Sequence, residues 1–188
     1  MSLDNIRKDI DAIDSQIREL IMKRLDCSKR VVQSKIEDGN YVIHRPDREA
    51  AILKRLGNGI PEDRKDGYLA VVRKITETSR MYQYGILYDR MNELFLPLAE
   101  GIHISSDCKK VVIALSIPDI PNGIASILSM IGDYGYNLSD LSLLNHSEDK
   151  GSAEFRLTIQ CNLNEDEARK LMVQLSSEGD DFRIIEAN

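Results

Sequence analysis

The sequence predicts two domains of different class, an all-helical domain followed by an α+β domain. Apolar residues repeat with helical spacing through the first half of the chain. Near residue 100 this pattern gives way to short apolar runs separated by turn signals. A length of 188 residues allows one average domain or two small ones. The change of periodicity near residue 100 therefore predicts two domains.

Three helices are predicted in the first half. The first begins near Leu3 and keeps its helical spacing until the Asp-Gly-Asn turn signal at 38–40. A helix of about 35 residues is about 50 Å long, which is longer than a domain of roughly 90 residues is wide. We therefore expect it to pack against a partner chain. The second helix is expected to begin around Pro46 and end at 57–59, and the third to start after the Pro-Glu-Asp stretch at 61–63 and continue toward Met91.

The second half is predicted to alternate strands and helices. Residues 93–107 lose their periodicity and contain Pro97 and Gly101, which predicts a linker. After it the predicted order is strand, helix, strand, strand, helix, strand, the split βαβ pattern, with Asn164 as the N-cap of the second helix. The expected divisions of the chain are a helical domain, a linker and an α+β domain at 1–92, 93–107 and 108–188.

The composition excludes several classes of protein. Hydrophobic residues make up 42% and charged residues 30%, which is ordinary for a globular chain. No apolar run approaches the roughly 20 residues of a membrane span, and the N-terminus lacks the apolar core of a signal peptide. Three widely spaced cysteines predict a reducing, cytoplasmic location with neither disulfides nor a metal site.

Charge is divided unevenly along the chain. Residues 1–90 contain 18 Lys and Arg against 15 Asp and Glu, whereas residues 91–188 contain 7 against 16. The split indicates either two unrelated domains with solvated surfaces or a first domain that handles an anionic molecule. Nucleic acid is not expected as the partner, because no basic cluster occurs and the isoelectric point is about 5.2.

Charged and polar residues interrupt the apolar face of the first helix. On a helical wheel Arg24, Ser28 and Lys35 fall in the middle of the apolar stripe, and Arg7 falls at its margin. A buried charge is costly unless it is paired, so these side chains form salt bridges, extend to solvent or bind an anionic ligand. Arginine and lysine both suit a carboxylate ligand.

The other two helices add polar residues to their apolar faces. Glu49 follows Arg48 and lies among apolar residues, although an acid near a helix start is also favoured by the helix dipole. Ser79 is centred on the apolar stripe of the third helix, with Gln83 one turn later, although such a serine often bonds its own backbone. No nucleophile–base pair accompanies them. The set suits a reaction that needs only positioning and charge stabilisation.

These residues resemble the all-helical (type II) chorismate mutases over about 3–90. The resemblance rests on a spaced pattern within three helices of suitable length: Ile6-Arg7, Asp14, Arg24, Lys35, Arg48-Glu49, Ser79 and Gln83. It implies an intertwined homodimer whose long first helices pair. It also implies an isomerase of aromatic amino acid biosynthesis that rearranges chorismate to prephenate without a cofactor.

The resemblance implies a role for each residue toward the substrate carboxylates. Arg24 and Arg48 would grip the compact form of chorismate, and Ser79 would support a carboxylate. Arg7 would reach the active site of the other subunit.

The remaining residues would act on the ether oxygen and the ring hydroxyl. Lys35 and Gln83 would donate hydrogen bonds to the ether oxygen, and Glu49 would accept one from the hydroxyl. Gln83 stays neutral, so no acid pH is required. Arg45 departs from the pattern, because some members carry aspartate at that position.

Residues 109–187 resemble an ACT domain, the ferredoxin-like βαββαβ module that senses amino acids. The resemblance rests on 118–123 and on the Gly-Tyr-Asn-Leu stretch at 135–138. It implies an effector site shared between paired domains, with four candidate residues: Asn122, Gly123, Asn137 and Leu138. Phenylalanine or tyrosine would be the effector. The Glu-Ser-Arg-Pro stretch that helps prephenate dehydratases bind phenylalanine is replaced here by Leu-Ser-Leu-Leu-Asn at 141–145.

Two other functions are compatible with the sequence. The helical half could be a non-catalytic dimerisation scaffold for an amino-acid-binding module. It could also be a lyase that releases pyruvate from isochorismate. Identification of the product distinguishes both from a mutase.

Overall fold

The computed structural model describes residues 2–188 and divides the chain into two compact units, one ending at Ile86 and the other spanning Leu87–Asn188. The first unit is helical. The second contains helices and one four-stranded antiparallel sheet. The predicted succession of a helical domain and an α+β domain is confirmed.

Three helices make up the first unit, with bounds close to those predicted. They are α1 (Leu3–Glu37), α2 (Pro46–Gly57) and α3 (Glu62–Arg90), whose last residues belong to the second unit. The Ser2 hydroxyl accepts a hydrogen bond from the Asn5 N–H at 3.3 Å and caps α1. Pro46 occupies the first turn of α2, where its missing N–H costs nothing.

The first unit has a thin apolar core. Its buried apolar side chains are Val32, Ile43, Val72 and Tyr84. By contrast, α1 leaves a row of large apolar side chains at least 40% exposed: Leu3, Ile6, Ile10, Ile13, Ile17 and Leu20. Monomeric proteins rarely expose so long an apolar stripe, so this surface of α1 has the character of an interface.

The second unit is built around its central strand. The elements are β1 (Val111–Pro118), α4 (Gly123–Asp133), β2 (Asn137–Ser147), β3 (Ser152–Gln160), α5 (Asp166–Glu178) and β4 (Asp180–Ala187). The strands pair in the order β2-β3-β1-β4. Alternate residues of β1, such as Ile113 and Leu115, are buried in one core with residues of the two helices. The helices contribute Ile131 of α4 and Leu171 and Leu175 of α5.

Two expectations for this unit differ from the structure. The segment expected to be a linker contains a 3-10 helix, Asn92–Ala99, whose Phe95 is 4% exposed within the core of the second unit. Apolar burial therefore fixes a segment that has no helical periodicity. Glu165, not Asn164, occupies the N-cap position of α5. The Asn164 amide instead donates to the Ser105 carbonyl at 2.9 Å.

Candidate active site

Arg24, which is half-buried, joins α1 to α3 in the helical unit. Its Nη1 donates to the Ile75 carbonyl at 3.1 Å and to the Ser79 hydroxyl. The same hydroxyl donates to the Ile75 carbonyl at 2.8 Å. Among the hydrogen bonds within residues 2–188, those of the Arg24 side chain all use Nη1. The guanidinium is thus oriented by α3 and keeps Nε and Nη2 for a ligand.

A cavity of about 290 Å³ opens beside this contact. Arg24 and Ser79 line it together with other residues of α1 and α3, namely Ile21, Leu25, Val71, Lys74, Ile75 and Thr78. Burial lowers the pKa of the Arg24 guanidinium, and the Cys27 thiol and the Glu49 carboxylate oppose that shift. The cavity therefore combines an apolar wall with a partly desolvated cation, which strengthens binding of an anion.

Lys35 lies near the end of α1 among other cations. Its ammonium donates to the Val42 carbonyl in the segment that leads to α2. Burial lowers the pKa of the Lys35 ammonium, and the positive charges of Arg45 and Arg48 lower it further. Two further Nζ protons can still bind a ligand. Arg45, which interrupted the family pattern, thus adds positive charge near Lys35.

Glu49 forms an ion pair with a residue that the sequence reasoning did not single out. Arg80 Nη1 lies 2.5 Å from Glu49 Oε2, and Arg80 is 8% exposed. This pair joins α2 to α3. Arg80 lies about 100° from Ser79 on the helical wheel. The sequence did contain a signal for this pair. Glu49 lies on the apolar side of α2, and a buried acid requires a partner of opposite charge.

Gln83 and Arg7 are two further expected catalytic residues, and a third, Arg48, is exposed in the first turn of α2. The Gln83 amide donates from Nε2 to the Ser79 carbonyl at 3.1 Å, so it lies one turn beyond the Arg24 contact. Arg7 is exposed near the start of α1, 3.8 Å from Asp4. It is 17 residues, or about 26 Å of helix, away from Arg24. One chain therefore brings together Arg24, Ser79, Gln83 and Glu49, but not Arg7.

The candidate effector residues of the second unit fall into two groups. Asn122 has a positive φ of 68° and precedes α4. At Gly123, an added Cβ would lie 2.8 Å from the Pro118 carbonyl oxygen, so only glycine fits this turn. Asn137 and Leu138 begin β2. The turn and the start of β2 are thus separate features of the unit.

The register of the sheet puts these two groups at opposite ends. Leu138 pairs with Ile159, which pairs with Val111 at the start of β1. The turn at 118–123 follows the other end of β1. Seven residues of strand span about 23 Å, so one chain does not bring the four candidates into a single site.

A histidine that was not predicted as functional is tied to the same turn. His146 Nε2 lies 2.8 Å from Asp119 Oδ2, so the end of β2 holds the loop between β1 and α4. This hydrogen bond raises the pKa of the His146 imidazole, with smaller contributions from Asp119 and Glu148 charges. The pair is therefore strongest at acid pH.

Two other features were sought in the part of the chain that the structure describes. Within residues 2–188, no group of three or more His, Cys, Asp or Glu side chains is arranged to hold a metal ion. No helix in that range is long and apolar enough to cross a membrane.

Comparison with known proteins concerns the helical unit. Residues 6–84 match the family model described as chorismate mutase type II. A search of curated proteins found no match. The matched range begins just before Arg7 and ends just after Gln83, so it includes all seven expected catalytic residues. The first unit of this chain is therefore similar, over residues 6–84, to the chorismate mutase type II family, and the activity of that family is an isomerase activity.

Proposed function

We propose that this protein is a homodimeric chorismate mutase, which rearranges chorismate to prephenate in aromatic amino acid biosynthesis, with an ACT-like second domain that senses an amino acid. The observation that carries the catalytic part is the contact of Arg24 in α1 with Ser79 in α3, with Glu49 of α2 near enough to affect the pKa of Arg24, within the range that matches the family model.

The rearrangement breaks a C–O bond and forms a C–C bond within one molecule. The protein therefore needs to select the compact conformer of chorismate and to stabilise charge on the ether oxygen as that bond breaks. Arg24 grips a carboxylate with the donors that α3 leaves available, and Ser79 supports it. Arg48 grips the second carboxylate. Pairing an arginine fork with a carboxylate fixes both position and orientation.

Lys35 and Gln83 donate to the ether oxygen in this mechanism, and Glu49 accepts from the ring hydroxyl. Partial burial of the Lys35 ammonium supports its role, because a donor in a desolvated site stabilises developing negative charge more than one in water. One Gln83 N–H bonds the Ser79 carbonyl, which orients the amide and leaves its second N–H for substrate.

The proposed dimer forms along the exposed apolar stripe of α1. Burial of each large apolar side chain contributes about 1.5–3 kcal/mol. Ile10 and Ile13 are 50% and 54% exposed in the single chain, so pairing would bury much of their surface. Arg7 then serves the partner's active site, since it lies too far along α1 to serve its own.

The ACT-like domain is proposed to pair through the exposed edge of β2. Leu141, Leu143 and Leu144 are 41–57% exposed along this edge strand. A two-fold antiparallel pairing would bring Asn137 and Leu138 of one copy toward the partner's turn at 118–123, which would unite the four effector candidates. Phenylalanine and tyrosine are the proposed effectors. Three free cysteines agree with the proposed reducing, cytosolic location.

Incubation of the full chain with chorismate and identification of the product tests the catalytic proposal. Prephenate supports it. Pyruvate release in a parallel incubation with isochorismate identifies a lyase, and the absence of reaction with either compound identifies a scaffold. Repeating the assay with phenylalanine and with tyrosine tests the second domain. If neither changes the rate, the apparent affinity or the thermal stability, the proposed effectors are wrong.

A further inference from the structure

Arg80 and Glu49 form a largely buried ion pair between α2 and α3. The side chains of Arg80 and Glu49 are 10% and 23% exposed, and 2.5 Å separates Nη1 from Oε2. Arginine is rarely buried unless it is paired. One Glu49 oxygen accepts this hydrogen bond from Arg80, and the other oxygen can accept a hydrogen bond from a ligand hydroxyl.

Glu49 lies near a second guanidinium. Its charge is close enough to Arg24 to oppose the effect of burial on the pKa of that arginine. Arg24 itself contacts Ser79, the residue that precedes Arg80. One carboxylate is thus positioned beside two arginines, but its hydrogen bond is to Arg80.

This arrangement has a consequence for the binding of an anionic substrate. A Glu49 carboxylate free to turn toward Arg24 would occupy the donors that a substrate carboxylate requires. Arg80 prevents this by holding the carboxylate on its own side. We infer that Arg80 is a positioning residue of the active site, which fixes Glu49 as a hydroxyl acceptor and keeps it from neutralising Arg24. The inference deepens the proposed function and rests on it.

A double-mutant cycle between positions 80 and 49 tests this inference. The variants are R80M, E49Q and R80M/E49Q, with R80K as the conservative replacement and R73M as the control, since Arg73 is exposed on the same helix. Each is examined for kcat and KM with chorismate, for prephenate affinity by calorimetry, and for folding by circular dichroism.

We expect R80M to lower kcat/KM about 10- to 100-fold, mainly through KM, because Glu49 then competes for Arg24. R80K should recover part of the loss, and R73M should behave as wild type. In the E49Q background, R80M should have little further effect, because the competing charge is gone. Prephenate affinity should follow the same pattern.

Two results would overturn the inference. One is an equal loss on R80M in both backgrounds, which means that Arg80 acts independently of Glu49. The other is unchanged kcat/KM and prephenate affinity in folded R80M. If R80M does not fold, folded R80K decides: it keeps a cation beside Glu49 but loses the planar fork of arginine, so prephenate affinity lower than that of wild type upholds the inference and wild-type affinity overturns it. The product assay with the wild-type protein tests the proposed function separately. That assay can yield prephenate even when the affinities of the variants for prephenate contradict the inference about Arg80.

Discussion

Arg24→Ala is the variant whose effects follow most directly from the structure. It removes the guanidinium whose Nη1 binds the Ile75 carbonyl and the Ser79 hydroxyl. It also removes the two donor groups, Nε and Nη2, that remain for a substrate carboxylate. The first loss concerns stability and the second concerns catalysis, so they can be measured separately.

The size of each loss can be worked from the hydrogen bonds. Two hydrogen bonds from a charged donor to a carboxylate contribute about 1.5–3 kcal/mol each, so their loss would lower kcat/KM about 10²- to 10⁴-fold. The contacts with α3 have neutral acceptors, and Arg24 is only half-buried. Their loss should lower the free energy of unfolding by about 1–3 kcal/mol.

Steady-state kinetics with chorismate and denaturant unfolding measure the two effects. Lys23→Ala is the matched control, because Lys23 is the exposed neighbour of Arg24 on α1. Lys23→Ala should leave both kcat/KM and the free energy of unfolding close to their wild-type values. A folded Arg24→Ala protein with wild-type kcat/KM would refute the assignment of Arg24 to the site.

Three further predictions concern other parts of the chain. Ile13→Glu should shift sedimentation from dimer toward monomer, because it places a charge in the proposed interface; an unchanged dimer would move the interface elsewhere. Gly123→Ala should lower the thermal midpoint, since the added Cβ would lie 2.8 Å from a carbonyl oxygen. Gly132→Ala in α4 is the control, because its added Cβ meets nothing within 4 Å and should be neutral or stabilising. Equal midpoints for the two variants would contradict this prediction. The pKa of His146 should exceed its ordinary value because of its Asp119 hydrogen bond, so this link stabilises the loop below pH about 6.5 and is lost as pH rises through the raised pKa. An NMR titration that gives an ordinary or lowered pKa would disprove that link.

Helix periodicity predicted most of the fold because each helix carries its own start and stop signals. Pro46 and the stretch at 61–63 mark the starts of the second and third helices, which begin at Pro46 and Glu62. Phe95 was not predicted as core, because its burial comes from tertiary packing in a 3-10 segment with no regular period.

The candidate site was predicted in part for a related physical reason. A helical wheel identifies residues such as Arg24 and Ser79 that face inward from a single helix. It does not identify which residues of different helices meet. Arg80 lies off the apolar stripe that the sequence indicates for α3, yet it is buried and pairs with Glu49 of α2. Charged pairs between helices depend on how those helices pack, which a single sequence does not specify.

The thin core of the helical unit has a consequence for how this protein behaves on dilution. In the proposed dimer, the exposed apolar surface of the helical unit is buried by a second copy, so that unit would gain much of its folding free energy from association. Its thermal midpoint should then rise with protein concentration, and specific activity should fall when dimers dissociate in a dilute assay. For such an enzyme the cellular concentration of the chain is itself a determinant of activity.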